Sequence, residues 1–436
     1  MAGEWVSINL GIVCTKIGSG ATPRGGSEVY LENGPYALIR SQNVYNDGFH
    51  HDGLAYIDER HANELANVEV LENDVLLNIT GDSVARACQV DKRVLPARVN
   101  QHVAIIRPDA EKLDPRFLRY FLVSPEMQAK LLSWSGSGGT RNALTKGMIE
   151  SFDVQAPGDI DAQRAIAHIL GTQDDKIELN RRTNETLEAM ARALFKSWFV
   201  DFDPVRAKAE GKDPGLPKPL ADLFPDSFED SELGEIPKGW KVKSIDEVAD
   251  FLNGLALQKY PSREGPTLPV IKIAQLRNGD TEGADRCNTD LPPDYVINDG
   301  DVLFSWSGSL ECVLWAGGKG ALNQHLFKVT SAQFPKWFYY LSVHQQLPDF
   351  RQIAAGKATT MGHIQRRHLT DAKVVVPGPP IFNMADKVIT PLIEQVMQRR
   401  VESRTLATLR DTLLPNLISG ELRLHDAIRL TTGAMA

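Results

Sequence analysis

The triplet Asn-Gln-His occurs twice, as Asn100-Gln101-His102 in "PARVNQHVAIIRPD" and as Asn323-Gln324-His325 in "KGALNQHLFKVTSA". Neighbouring imidazole and carboxamide groups can move protons, ligate a metal, or cap backbone groups where a strand enters a core. Catalysis would call for further matched polar residues, and few accompany the triplets. A metal would call for a ligand set, yet His50-His51 and His363/His368 have no nearby cysteine or carboxylate group to complete one. Cys14, Cys88, Cys287 and Cys312 are scattered without a C-x-x-C pair, which argues against zinc or redox chemistry and fits reduced thiols. "LPPDY" (Leu291–Tyr295) has an apolar leading residue and a displaced aromatic where an adenine methyltransferase would hold its base, so it reads as a turn. No catalytic and no metal-ligating residue is assigned. The triplets are read as caps at strand entrances, with a catalytic role left open.

The glycine clusters "GSGATPRGG" and "SWSGSGGTRNALT" do not fit the phosphate-cradling pattern G-x-x-x-x-G-K-[ST]. Small residues do permit close backbone approach. Among them Thr22, Arg24, Thr140, Arg141 and Asn142 supply donors of the kind that contact phosphates and base edges. In the second half Lys357, Thr359, Thr360, Gln365, Arg366 and Arg367 take the equivalent place.

These residues must be positioned by folded domains. At 436 residues the chain is long enough for two to four of them, and 42% apolar with 24% charged residues is a globular composition. No apolar run approaches the roughly 20 residues that span a bilayer. The opening "MAGEWVSINL" lacks a basic region followed by an apolar stretch, so a cytoplasmic protein without contact to membranes is expected. The net charge of −8 is unevenly spread: Asp201–Glu235 holds ten acidic and four basic residues, leaving the remainder close to neutral. Near-neutral domains can still present basic loops to nucleic acid.

The triplets belong to a repeat that runs through nearly the whole chain. Trp5 and Val13 align with Trp240 and Val248 at an offset of 235. Leu38, Arg40 and Asn43 align with Val270, Lys272 and Gln275 at 232, Asp74 with Asp301 at 227, and the triplets at 223. Pro115, Tyr120, Thr140 and Pro157 align with Pro335, Tyr340, Thr360 and Pro377 at 220, and Arg181-Arg182 with Arg399-Arg400 at 218. The offset only shrinks, as it does for two diverged copies that differ by small loop deletions.

Each copy opens with short alternating runs such as "DVLLNI" and "HVAIIRP", broken by Gly, Pro and Asn, which are strand and turn signals. Helix-like stretches follow, "DPRFLRYFLVSPEMQAKLLSW" and "FPKWFYYLSVHQQLPDF". Each copy then ends in a long periodic segment. Ile169, Gln173, Ile177, Asn180, Asn184, Leu187, Ala191, Leu194 and Trp198 step by three or four. So do Ile389, Leu392, Val396, Arg399, Ser403, Leu406, Leu409, Leu413 and Leu417. Both seams are polar at the centre, like register-setting positions in a coiled coil. About 35–39 residues make a rod of roughly 50–58 Å.

The expected fold is α+β: a tandem duplication of a globular domain followed by a long helix, the two helices packing as an antiparallel coiled coil. The domains are placed at 1–158 and 239–379, the helices at 159–200 and 380–420, an acidic Pro-rich linker at 201–238, and a tail at 421–436. The linker is expected to be extended and solvated.

This layout, with the strings "ELNRRTNETLEAMARALFKSWFVDFDPV", "DSELGEIPKGW" and "LRDTLLPNLISGEL", resembles the specificity subunit of type I restriction-modification enzymes over essentially the full chain. The resemblance implies two target recognition domains, each reading one half of a split, asymmetric site on double-stranded DNA. It implies helices that space the domains and dock two methyltransferase (modification) subunits, with two motor/endonuclease (restriction) subunits added. S-adenosylmethionine, ATP and Mg would be bound by those partners, and no cofactor by this chain. The expected DNA contacts are Arg24, Arg40, Gln42, Asn43, Thr140, Arg141 and Asn142 in the first domain. In the second they are Lys272, Gln275, Arg277, Lys357, Thr360, Gln365 and Arg366. The alternative is a DNA adenine methyltransferase or nuclease with its own unrecognised active site; a protein-interaction scaffold is the third reading.

Overall fold

The computed structural model describes residues 4–136, 143–262, 264–356 and 362–434. Two compact units divide the chain: residues 1–177 with 406–436, and residues 178–405. Each therefore takes in one end of each long helix.

In the first unit, strands Cys14–Ser19, Val103–Pro108, Val75–Asn78 and Ala87–Gln89 form an antiparallel sheet in that order. A second sheet runs Ala55–Ile57, Tyr36–Ile39, Ala97–Val99, Glu69–Val70, with Tyr36–Ile39 and Ala97–Val99 parallel. Trp5–Asn9 pairs with Asp153–Pro157 and closes the domain. The second unit repeats this order strand for strand. Asp250–Asn253, Leu326–Thr330, Val302–Ser305 and Cys312–Leu314 form one sheet. Arg286–Asn288, Thr267–Ile271, Gly320–Leu322 and Val296–Ile297 form the other, and Lys241–Ser244 pairs with Lys373–Val376. The duplication in the sequence is thus one fold made twice.

Alternation explains why these runs are strands. Val75, Leu77, Ala104 and Ile106 point into the core shared with the helices, while Leu76, Val103 and Ile105 point into the core between the two sheets. Val302, Phe304, Phe327 and Val329 do the same against Leu303 and Leu326 in the second unit. Both faces are covered, so both alternating sets are apolar.

The stretch after these sheets is one helix in the second copy, Lys336–Ala355, and two in the first, Pro115–Val123 and Pro125–Gly136. Asp114 caps the first of them by accepting from Phe117 N at 2.8 Å. Ser124 then turns extended (ψ 144°) ahead of Pro125, as a residue before proline prefers. Pro348 lies inside the second copy's helix without ending it. "LPPDY" forms a short 3-10 turn, Pro293–Tyr295.

The long helices are Ile160–Phe199 and Pro379–Ser419, of 40 and 41 residues. In the second unit they run antiparallel. Asn180 Nδ2 donates to Glu402 Oε2 at 2.8 Å and to Ser403 Oγ at 3.3 Å, and one turn on Asn184 Nδ2 donates to Val396 O at 3.3 Å. In the first unit Ile166, Ile169 and Leu170 pack with Leu413, Leu414 and Leu417. Of the polar residues expected in the seam, Gln173, Asn180 and Asn184 are buried, and Arg399 and Ser403 are half-buried. No helix among the described residues is long and apolar enough to cross a membrane.

The linker departs from expectation. It folds onto the second unit, with helix Asp203–Ala209 and the hairpin Phe228–Ser231/Gly234–Pro237. Phe202, Val205, Phe224 and Ile236 are buried against Trp198, Phe199 and Trp240. Its acids and prolines dominate the composition, but those four apolar side chains are enough to dock it.

All four cysteines are free, and burial pushes the Cys88 thiol up to about 12, so it is not a nucleophile at neutral pH.

Charged groups join each globular domain to the helices. In the first unit Asp174 Oδ2 accepts from Arg119 Nη1 at 2.7 Å and Tyr120 Oη at 2.6 Å, while its Oδ1 accepts from Arg410 Nη1 at 2.6 Å. In the second, Arg400 of the second long helix donates to Glu188 Oε1 at 2.6 Å and to Leu314 O at 2.8 Å. Burial acts to raise the Asp174 pKa, but the guanidinium groups of Arg119 and Arg410 outweigh it and hold the carboxyl below its usual value. With its folded pKa below the unfolded value of about 3.9, Asp174 stabilises the fold fully above that pH and loses this contribution as pH falls through the folded pKa. Asp174→Ala removes the carboxylate shared by buried Arg119 and half-buried Arg410, which keep Asn46 O and Asp411 as partners, and is expected to cost about 3 kcal/mol at pH 7. Denaturant titration checks this, and the gap from wild type should narrow below about pH 4.

Candidate nucleic-acid interface

The two triplets sit at the same place in each domain, at the turn that leads from the end of an inner strand of one sheet, Ala97–Val99 or Gly320–Leu322, to an inner strand of the other, on the rim of the domain. Asn100 is 5% exposed, and its Oδ1 accepts from His102 N at 3.0 Å. Asn323 is 4% exposed and does the same with His325 N at 3.2 Å. The asparagines are therefore the strand caps that the sequence led us to expect. A glycine holds the other side of each turn: a Cβ on Gly20 would lie 1.7 Å from Val99 O, and one on Gly254 would lie 2.2 Å from Asn323 O. No side chain fits there.

The other two residues of each triplet look outward. Gln101 Nε2 lies 3.0 Å from His102 Nε2, and His102 Nδ1 is hydrogen-bonded to Thr80 Oγ1. Gln324 Nε2 lies 3.4 Å from His325 Nε2, and His325 Nδ1 is 3.2 Å from Ser307 Oγ. Thr22 Oγ1 donates to Gln101 Oε1 at 2.7 Å. In the second domain Trp306 Nε1 donates to Asn253 Oδ1 at 3.0 Å, and its ring lies 5.7 Å from that of His325.

Several expected contact residues gather on this edge. Asn100 N donates to Ile39 O at 3.0 Å, so Arg40 follows directly on the strand beside the triplet. The guanidinium of Arg40 lies 5.2 Å from the Tyr30 ring centroid and donates to Gly53 O, which also accepts from Gln42 Nε2 at 3.0 Å. Arg24 is exposed two residues after Thr22. In the second domain Lys272 follows strand Thr267–Ile271 and ion-pairs with Asp285, while Arg277 is exposed on the last turn of helix Ile273–Asn278. Gln365 opens helix Arg366–Asp371, and Arg366 stands 5.8 Å over the Phe327 ring and donates to Phe251 O at 3.2 Å. Ile364 N donates to Trp306 O at 3.0 Å and brings that helix to the triplet edge.

Asn43 and Gln275 are placed differently from the rest. Asn43 is fully buried: Oδ1 accepts from Arg40 N at 3.1 Å and Nδ2 donates to His50 O at 3.0 Å. Gln275 is 7% exposed: Oε1 accepts from Lys272 N at 3.3 Å and Nε2 donates to Glu282 O at 3.4 Å. The two, aligned by the repeat, make one and the same cap beneath Arg40 and Lys272. Thr140, Arg141, Asn142, Lys357 and Thr360 lie outside the described residues. Thr80, Ser307 and Trp306 were not singled out by the sequence; the repeated triplet, taken as surface rather than cap, is the signal that leads to them.

Three of the histidines weighed as metal ligands have local partners. His50 pairs with Asp47 at 3.1 Å, His51 with Asp91 at 2.9 Å, and His368 Nδ1 accepts from Gln365 N at 3.0 Å. Among the described residues no group of three His, Cys, Asp or Glu could hold a metal ion.

Replacing buried Asn100 with Ala leaves the His102 N–H without its acceptor. The expected loss is about 1–3 kcal/mol, with the fold retained, as read by thermal or denaturant unfolding.

This duplicated architecture agrees with comparisons to known proteins. The family described as type I restriction modification DNA specificity domain matches the chain twice, at residues 2–189 and 237–406. The HindI specificity subunit of Haemophilus influenzae is 26% identical over 441 residues, covering 88% of this chain and 94% of that one. The MjaIX specificity subunit of Methanocaldococcus jannaschii is 26% identical over 315 residues, covering 70% and 69%. The crystal structure of a type I restriction-modification S subunit from M. genitalium superposes with a TM-score of 0.56 at 14% identity, covering 95% and 96%, which speaks to the fold. With two copies of the specificity domain and no catalytic role in such subunits, the chain belongs to the type I restriction-modification DNA specificity family, as a non-catalytic S subunit.

Proposed function

We propose that each globular domain reads one half of a bipartite, asymmetric site on double-stranded DNA through the edge that carries its Asn-Gln-His turn. What carries the reading is that edge itself: one backbone frame, made twice, bearing different side chains in each copy. Arg40 stands where the other copy has Lys272, and Trp306 where the first has Ile79. Two unlike edges in one chain suit a site that is not palindromic.

Arg24, Arg40, Gln42, Thr140, Arg141 and Asn142 are the proposed contacts of the first domain, and Lys272, Arg277, Lys357, Thr360, Gln365 and Arg366 those of the second. Arginine and lysine contact phosphates or guanine, and glutamine and asparagine contact adenine. Asn43 and Gln275 act from beneath, by fixing the backbone under Arg40 and Lys272.

The helix pair spaces the half-sites and docks two methyltransferase subunits, to which two motor/endonuclease subunits are added, in the cytoplasm. S-adenosylmethionine, ATP and Mg belong to those partners. A helix of 40 residues is about 60 Å long, more than one DNA turn of roughly 34–36 Å. Four-residue insertions at matched positions of both helices should lengthen the spacer by about 6 Å, near two base pairs. A spacer unchanged in length would remove the ruler.

The central test maps adenine methylation of genomic DNA by this chain with and without its methyltransferase partner. Split-site methylation that needs both chains is expected, and it yields the target directly. Methylation by this chain alone would reveal an active site of its own, and none in either sample would return the chain to a scaffold role.

A further inference from the structure

We propose that the Gln-His pairs Gln101–His102 and Gln324–His325 form one shared contact to the DNA backbone, the glutamine amide donating to a phosphate oxygen in either half-site. The inference rests on the DNA-reading proposal above and adds which part of the DNA this element touches.

The structural duty of each triplet is met by its asparagine, which is buried and closes the turn in both copies. Turn closure therefore leaves the glutamine and the histidine unaccounted for. Gln101 is exposed, and His102, Gln324 and His325 are half-buried. All four are nevertheless ordered by the same relay in both domains: a hydroxyl (Thr80 or Ser307), then imidazole Nδ1, then Nε2 against the glutamine Nε2. With the amide donating to Nε2, the ring carries its proton on Nδ1 and directs it at the hydroxyl oxygen. The carboxamide is thereby held with a second N–H to offer. In the first domain the hydroxyl of Thr22 fixes its oxygen end as well.

The surroundings of this relay diverge between the copies, while the relay keeps its hydroxyl–imidazole–amide order with serine in place of threonine. Ile79 is exchanged for Trp306, Arg40 for Lys272 and Thr22 for Ala256. Domains that read different bases should differ where they meet base edges and agree where they meet what every half-site shares. That common part is the sugar–phosphate backbone, for which glutamine is an ordinary neutral donor. A neutral donor displaces no counterion, so it adds affinity without adding to the salt dependence.

Fluorescence anisotropy of the full chain tests this, with one duplex carrying the mapped site and one scrambled duplex, over a salt series. Gln101→Ala and Gln324→Ala should each weaken binding about three- to tenfold on both duplexes alike. The slope of log K against log salt and the melting temperature should stay at wild-type values. Gln101→Lys should regain affinity and steepen the slope by about one unit, because the ammonium then releases a counterion. Loss confined to the mapped site would make the pair a base reader and overturn the proposal. So would unchanged affinity, or a melting temperature that falls along with binding. If wild type fails to separate the two duplexes, the DNA-reading proposal itself falls.

Discussion

Neither long helix can bury its apolar stripe within its own copy of the repeat, and the rest of the architecture depends on that constraint. A 40-residue helix with a periodic seam needs a partner of equal length, and among the described residues only the corresponding helix of the other copy is that long. The consequence is visible in how the chain divides. The first unit is completed by residues 406–436 and the second by residues 178–199, so each domain packs on helix segments from both copies. The buried amides of Asn180 and Asn184 grip Glu402, Ser403 and Val396 O, and such groups penalise a slipped register, because a shift would leave them buried without partners.

The domains themselves are conservative scaffolds with variable rims. Strand order, the parallel pair at the centre of one sheet and the closing two-stranded ribbon are the same in both copies. The cap beneath Arg40 and Lys272 is also shared, though it is built by asparagine in one copy and glutamine in the other. Conserved geometry carried by unlike residues is what a recognition fold needs, since the frame can persist while the side chains on its edge change. It also accounts for the low resemblance between the two domains outside a few aligned positions.

Charge follows the same division of labour. Arg119, Arg400 and Arg410 are drawn into ion pairs, the first between domain and helix and the other two between the long helices, and their sequence neighbours do not distinguish them from surface bases. Arg24 and Arg277 remain exposed. The negative net charge reflects mainly the segment between the copies, which docks through Phe202, Val205, Phe224 and Ile236 while its acids face solvent.

Periodicity and repeat offsets by themselves determined the duplication, the α+β character of each copy, and the two long helices with polar residues inside their seam. These are properties of local order along the chain, and a pattern of period two or 3.6 records them directly. The tertiary structure alone decided which side chains of a motif are inside. Asn100, Asn43 and Gln275 look in sequence like their polar neighbours, but burial turned them into caps and left Gln101, Arg40 and Lys272 at the edge. The linker is the same lesson in reverse. Composition describes an average over many residues, whereas docking is settled by a few apolar side chains that meet a complementary surface, and that surface is assembled from residues distant in the chain.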